Sequence, residues 1–161
     1  MHDAYLICPN AHQILRFVSD VDSDPILSQH SPGLRNRFCT RILQDFFDTG
    51  LEATYADYKH APDTFYMDVN LIAHSANLGY IEEDTIRNHI LQSFLYNTLY
   101  DHQAVALSVL LKIAGATFEA YVDPAVVGRC LELLKNHRLG GRWKVSLAEV
   151  SAFSVQGRWN Y

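Results

Sequence analysis

The sequence predicts an all-α protein, and three observations support this prediction. Between Asp63 and His137, apolar residues recur at helical spacing in four consecutive segments. Residues that favour helix ends separate these segments, among them Gly79 and the dipeptide Asp123-Pro124. Five or six helical segments account for most of the chain, so helix content should exceed about sixty per cent, against the usual third.

The first predicted helix pair covers residues 63–95. Asp63 follows Pro62 and can cap a helix that ends at Gly79. The acidic run Glu82–Asp84 then predicts a second helix, because carboxylates stabilise the positive end of the helix dipole. The two apolar stripes are Phe65, Val69, Ile72, Ala73 and Ala76, followed by Ile86, Ile90, Leu91, Phe94 and Leu95.

The second predicted pair covers residues 101–137. Asp101 is the expected cap of a helix that is apolar on nearly all sides from Ala104 to Ala114, which predicts the most buried element. Gly115 is expected to interrupt or kink this helix. Asp123 and Pro124 then begin the last helix, whose apolar residues are Val126, Val127, Cys130, Leu131, Leu133 and Leu134.

The two pairs match each other at a shift of about forty residues. For the first helix of each pair, a shift of 38 aligns Asp63 with Asp101, Val69 with Leu107, Ile72 with Leu110 and Ala76 with Ala114. For the second helix of each pair, a shift of 40 aligns Ile86 with Val126, Ile90 with Cys130, Leu91 with Leu131 and Phe94 with Leu134. In this pattern, residues 63–137 resemble a HEAT or armadillo repeat, which implies stacked helix pairs that bind other proteins. Any two amphipathic helical hairpins also align in this way, so a closed helical bundle is the alternative.

The residues before Asp63 predict further helices. A helix of about ten residues, with Ile14, Leu15, Phe17 and Val18, is expected after Pro9. Residues 19–32 are rich in turn formers and predict a loop. A core helix capped by Ser31 and opened by Pro32 should end at Gly50, and residues 51–60 should form its partner.

The chain is expected to form a single helical domain over residues 1–141, with residues 142–161 as a C-terminal tail or cap. In the array interpretation, the last helix presents Val127, Leu131 and Leu134 to a further repeat that the chain lacks. The tail should then cover this face, or a second copy should do so and form a homo-oligomer through the C-terminal face.

Composition excludes several classes of function. The formal net charge of −5 argues against sequence-independent nucleic-acid binding, which needs clustered positive charge. Membrane insertion is not expected, because Lys112 and Gly115 end the longest apolar run. Cys39 and Cys130 lie at apolar helical positions and predict small core residues in a reducing compartment. We therefore expect a cytoplasmic or nuclear protein.

No motif for catalysis, a metal or another cofactor is evident. The chain has eight histidines, of which His74, His89 and His102 lie in the helical stretch without a ligand partner at helical spacing. The acidic residues of the 19–32 segment lack the glycine and closing glutamate of a calcium loop. The chain contains no nucleophile elbow and no phosphate-binding glycine loop. These features favour a binding role over catalysis.

Two hypotheses of function follow. The first is a protein-interaction or scaffolding module, built from helix pairs, that exposes a polar and aromatic face to a protein partner; this face comprises Tyr66, Asn70, His74, Asn77 and Tyr80. The alternative is a small helical enzyme or ligand-binding protein. Its pocket would lie between the helices over residues 62–78 and 101–122, with Tyr66, His74 and His102 in the lining.

Overall fold

The computed structural model describes residues 10–51, 63–96 and 99–137, and 85% of these residues are helical, with no strand among them. The all-α prediction is confirmed for this part of the chain. The elements are α1 (Ala11–Ser23), α2 (Leu27–His30), α3 (Leu34–Asp45), a π-helical segment (Phe46–Leu51), α4 (Asp63–Asn77), α5 (Glu83–Thr85), a second π-helical segment (Ile86–Leu91), α6 (Gln92–Tyr96), α7 (Asp101–Tyr121) and α8 (Pro124–Asn136). The chain divides into two compact units, with the boundary between Ile81 and Glu82.

That boundary falls inside the first predicted pair, after α4 and before α5. The repeat relation between the two pairs therefore stays a prediction, and so does the closed bundle. The predicted division between residues 141 and 142 lies outside the described residues. The same holds for the predicted helix over residues 51–60 beyond Leu51.

In the first unit, the predicted loop over residues 19–32 is wrong in part, because most of this segment is helical. The first helix is longer than expected and continues to Ser23, with its polar residues on the side away from the core. Asp24 then accepts hydrogen bonds at Oδ1 from the backbone N–H groups of Ile26 (2.8 Å) and Leu27 (2.9 Å). These bonds satisfy amides at the beginning of α2, so the turn formers here act as caps.

The start of α3 also differs from the prediction. The helix begins at Leu34, after Gly33 in the left-handed conformation (φ 66°), so Ser31 and Pro32 precede it. Glycine is suited to this position because a side chain is strained at positive φ. At its other end, α3 continues as the π-helical segment to Leu51, and Gly50 does not terminate it.

The core of the first unit lies where α1, α3 and α4 pack against one another. The rings of Phe46 and Phe65 stack at 5.7 Å between centroids with 7° between their planes. Leu15 of α1, Ile42 of α3 and Ile72 of α4 are buried as well. Burial of such side chains contributes roughly 1.5–3 kcal/mol each, which is why three short helices hold together.

The prediction that Gly79 ends α4 is confirmed. Gly79 has φ 69°, and its N–H donates to the carbonyl of Ala76 (3.0 Å). The N–H of Tyr80 donates to the carbonyl of Ser75 (2.8 Å). Together these two bonds form a Schellman motif, which fixes the position of Tyr80 directly beyond the helix.

In the second unit, α7 runs without interruption from Asp101 to Tyr121, so the expected interruption at Gly115 is wrong, and the kink given as its alternative stays a prediction. A glycine costs about 1 kcal/mol in a helix interior, and the burial of its neighbours Ala114 and Phe118 exceeds that cost. Asp101 is the first residue of the helix and Tyr100 precedes it as the cap. The Tyr100 N–H donates to Gln103 Oε1 at 3.0 Å, which anchors the first turn.

By length and composition alone, the His102–Tyr121 stretch of α7 is able to cross a bilayer. The helix continues through Lys112 and Gly115, the two residues expected to end the apolar run. However, 61% of its 18-residue apolar window is buried inside the protein. Core helices have the same composition, so the feature is weak evidence for a membrane span.

Helix α8 begins as predicted, because the Ala125 N–H donates to Asp123 Oδ1 at 2.8 Å and Pro124 is the first helical residue. It packs against α7, α6 and the second π-helical segment. Its buried residues Val126, Val127, Cys130, Leu131 and Leu134 lie within about 140° of the helix circumference. The described part of α8 therefore has one apolar face, and Arg129, Glu132 and Lys135 are exposed elsewhere on it.

Candidate functional site

All five predicted binding residues lie in the first unit. Four of them follow one line along α4, namely Tyr66, Asn70, His74 and Asn77, and Tyr80 lies directly beyond the end of this helix. The structure does not expose them as a free surface. Tyr66, His74, Asn77 and Tyr80 are each half-buried. We call these five residues the α4 polar stripe and describe its members in turn.

The prediction that Asn70 is exposed is wrong, because only 1% of this residue is accessible. Its Nδ2 atom donates to the Tyr66 backbone carbonyl at 2.7 Å, one turn earlier in α4. Its Oδ1 atom is buried and accepts no hydrogen bond within the described part of the chain. A buried carbonyl without a donor costs about 1–3 kcal/mol, so this oxygen is an unsatisfied acceptor inside the first unit.

His12 of α1 is close enough to His74 for the charges of the two rings to influence each other. Burial lowers the pKa of His74, and the neighbouring His12 imidazole lowers it further, because two positive rings repel each other. The His74 ring is therefore held neutral more firmly than a free histidine. This explains how a histidine is accommodated in the packing of α1 against α4 without an acidic partner on the described residues.

Tyr80 is covered by a cation from α3. The Arg35 guanidinium carbon lies 5.1 Å from the centre of the Tyr80 ring, within the range of a cation–π interaction. Arg35 also reaches α1, where its Nε atom is 3.8 Å from Asp22 Oδ2. The Tyr80 ring is thus part of the contact among α1, α3 and the end of α4, and it is less available to a partner than the sequence predicted.

A second polar group on α4 was missed by the sequence analysis. Asp68 is 8% exposed, and Ser75, two turns later on the same side, is fully buried. The pKa of Asp68 is raised to about 6, chiefly by burial and also by the charge of Asp45, while Arg41 opposes the rise. The pattern did contain a signal, since Asp68 and Ser75 share one helical face with Ile72, a member of the apolar stripe.

The two described cysteines are free, buried thiols, as expected for core residues. Burial raises the pKa of Cys39, and the Ser75 hydroxyl and Arg35 partly offset this effect. Burial raises the pKa of Cys130 to about 12, with a small opposing effect from Arg129. Neither thiol is activated as a nucleophile, because a reactive cysteine needs a lowered pKa.

The most accessible large apolar residues of the first unit lie on α1 and α2, outside the α4 polar stripe. Phe17 is 66% exposed, Ile26 is 69% exposed and Leu27 is 48% exposed. They occur within eleven residues: Phe17 lies on α1, Ile26 directly precedes α2 and Leu27 begins α2, and the two helices contact each other. We call Phe17, Ile26 and Leu27 the α1–α2 apolar surface. The sequence alone predicts Phe17 in a core stripe and the other two in a loop.

Negative charge accompanies the α1–α2 apolar surface. Residues 10–32 contain three aspartates, Asp20, Asp22 and Asp24, against Arg16 as the sole lysine or arginine. The nearest ion pair is long and exposed, with Arg16 Nε 3.9 Å from Asp20 Oδ2. Exposed pairs of this kind stabilise a fold by about 1 kcal/mol or less, so Asp20 can interact with a partner at little cost. Asp22 already pairs with Arg35, and Asp24 caps α2.

The pocket of the alternative hypothesis joins residues of different units. Tyr66 and His74 belong to the first unit and His102 to the second, so the pocket stays a prediction. His102 is itself buried, and its ring stacks on Tyr100 with centroids 6.1 Å apart. No group of three or more metal-ligating side chains occurs within the described ranges.

Comparisons with protein-family models, with curated protein sequences and with solved structures found no match to this chain.

Proposed function

We propose that this chain is a protein-interaction module whose α1–α2 apolar surface binds an amphipathic helix with a basic rim on a partner protein. The observation that carries the proposal is the exposure of Phe17 and Ile26, each about two thirds accessible beside a well-packed core. Scattered apolar residues are ordinary on protein surfaces, whereas a group on adjacent elements indicates an interaction site. The HEAT or armadillo-like arrangement and a cytoplasmic or nuclear location are part of this proposal.

The chemistry of the partner follows from the side chains around this surface. An apolar stripe is needed to cover Phe17, Ile26 and Leu27, and a helix supplies one at i, i+3 and i+4. Lysine or arginine beside the stripe would be attracted to the exposed carboxylate of Asp20. Binding should therefore weaken as ionic strength rises.

Site-specific photocrosslinking in cells tests this proposal. A photoreactive phenylalanine analogue is placed at position 17 or 26 of the full chain, and at the exposed Thr40 of α3 as a matched control. The proposal expects one partner to be captured from positions 17 and 26 but not from 40, and expects the crosslinked segment to be a basic amphipathic helix. A dimer of this chain, or equal capture from all three positions, would contradict it.

A ligand site at the α4 polar stripe is the second candidate, and the unpartnered Asn70 Oδ1 favours it within the described part of the chain. A small molecule with a hydrogen-bond donor would satisfy this oxygen. Thermal-shift screening together with a metal assay on the purified chain is the test. A ligand that stabilises the wild type but not Asn70→Leu would support a ligand site, and this result would leave the photocrosslinking test unaffected.

A further inference from the structure

Arg87 joins two elements of the second unit that are far apart in the sequence. It lies in the second π-helical segment, and its Nη2 atom donates to the backbone carbonyl of Val122 at 2.7 Å. Val122 is the residue that follows the last turn of α7. The same Nη2 atom donates to Glu83 Oε1, one turn earlier in the chain, so this nitrogen has an acceptor on each element.

The Val122 carbonyl is a place where a helix needs a donor. The last carbonyl groups of a helix have no amide partner within it, and they form the negative end of the helix dipole. The last turn of α7, residues 118–121, contains no lysine, arginine or histidine of its own. Val122 is only 8% exposed, which limits the access of water. Arg87 therefore supplies the cation that caps α7 from another element.

The backbone of Arg87 takes part in the π-helical turn. The N–H of Gln92 donates to the carbonyl of Arg87, five residues earlier, which is the spacing that defines a π-helix. π-Helical turns are rare and often occur at functional positions. One residue thus belongs to the π-helical turn through its backbone and caps α7 through its side chain.

The beginning of α8 lies next to the same contact. Asp123 follows Val122, and its Oδ1 atom accepts from the Ala125 N–H at 2.8 Å. Its carbonyl accepts from the Val126 N–H at 3.0 Å. The bond from Arg87 to Val122 is therefore one residue away from the first hydrogen bonds of α8. A displacement of Val122 displaces Asp123 too, because the two residues are adjacent in the chain.

We propose that Arg87 is a strap that makes the second π-helical segment and the corner between α7 and α8 open as one unit. When the π-helical turn opens, Arg87 leaves the Val122 carbonyl, and the corner loses its tie to the rest of the second unit. Without the strap, the turn and the corner open independently. Local openings of this kind require less free energy than global unfolding. The inference is independent of the α1–α2 apolar surface, which belongs to the first unit.

Native-state hydrogen exchange of the full wild-type chain in low urea is the first test. It compares the amide of Gln92, in the π-helical turn, with the amide of Val126, at the corner. The proposal expects both amides to show the same free energy of opening and the same dependence on urea, because one opening exposes both. Different urea dependences of the two amides would overturn it. This test does not depend on the folding of a variant.

Arg87→Gln removes the strap. The Gln92 and Val126 amides should exchange about tenfold faster or more, because a hydrogen bond from a charged donor is lost, and their urea dependences should diverge. Arg41→Gln is the matched control, since Arg41 also pairs with a carboxylate one turn away, and it should change neither amide. An unchanged Val126 amide, or equal acceleration of the Leu110 amide in the middle of α7, would overturn the proposal.

Glu83→Gln separates the strap from the ion pair with Glu83. This variant removes the charged partner of Arg87 and leaves the Val122 carbonyl as its acceptor. The Gln92 and Val126 amides should therefore still open together. Loss of the shared opening in Glu83→Gln, to the same extent as in Arg87→Gln, would assign the effect to the ion pair and overturn the strap.

Discussion

The guanidinium carbon of Arg35 lies 5.1 Å from the centre of the Tyr80 ring, so α3 holds the residue that directly follows the Gly79 turn. We predict that Tyr80→Leu destabilises the protein by about 0.5–1 kcal/mol, the range for an exposed cation–π pair. Tyr80→Phe is the matched control and should be nearly neutral, because the ring remains. Urea denaturation measures both, and equal losses in Leu and Phe variants would show that the ring face is unimportant.

Leu110→Ala should be among the most damaging single substitutions. Leu110 is fully buried near the middle of α7, and removal of such a side chain leaves a cavity that costs about 2–5 kcal/mol. Leu78→Ala is the same substitution at a residue that is 43% exposed, so its cost should be well below about 1 kcal/mol. Equilibrium denaturation that gives similar values for the two variants would contradict the position assigned to α7.

His74 should make the protein less stable in mild acid. Its pKa is lowered by burial and by His12, so the unfolded chain takes up a proton before the folded chain as pH falls below 6.5. Stability from this group is therefore present above pH 6.5 and declines below it. His74→Gln should reduce the loss of melting temperature between pH 7 and pH 5. The exposed His89, changed to Gln, serves as the control, and an identical effect in both variants would rule out the pairing of His74 with His12.

The sequence predicted helices better than their ends. The stripes of α4, α7 and α8 were found correctly because each buries apolar residues at regular spacing, and Gly79 and Asp123 mark ends through local geometry. The segment from Ser19 to His30 was misjudged because serine and aspartate favour turns and helix caps equally. Gly115 was misjudged because packing around Ala114 and Phe118 outweighs a local propensity.

The candidate site was harder to predict for a physical reason. Periodicity shows which residues share a helix face, but it does not show which neighbour covers that face. Asn70 and Tyr80 therefore resemble surface residues in the sequence, although the fold buries the first and places Arg35 over the second. Asp68 was missed for the converse reason, since an aspartate on a helix is usually solvated.

Binding of a basic amphipathic helix to the α1–α2 apolar surface is tested most directly by the affinity of the purified chain for the captured partner segment. Isothermal titration calorimetry compares the wild type with Phe17→Ser/Ile26→Ser and with Thr40→Ser as the control. We predict a loss of affinity of at least about tenfold in the double variant, since two large apolar contacts are removed. We also predict weaker wild-type binding at high salt. Equal affinity of the wild type and the double variant would contradict the claim.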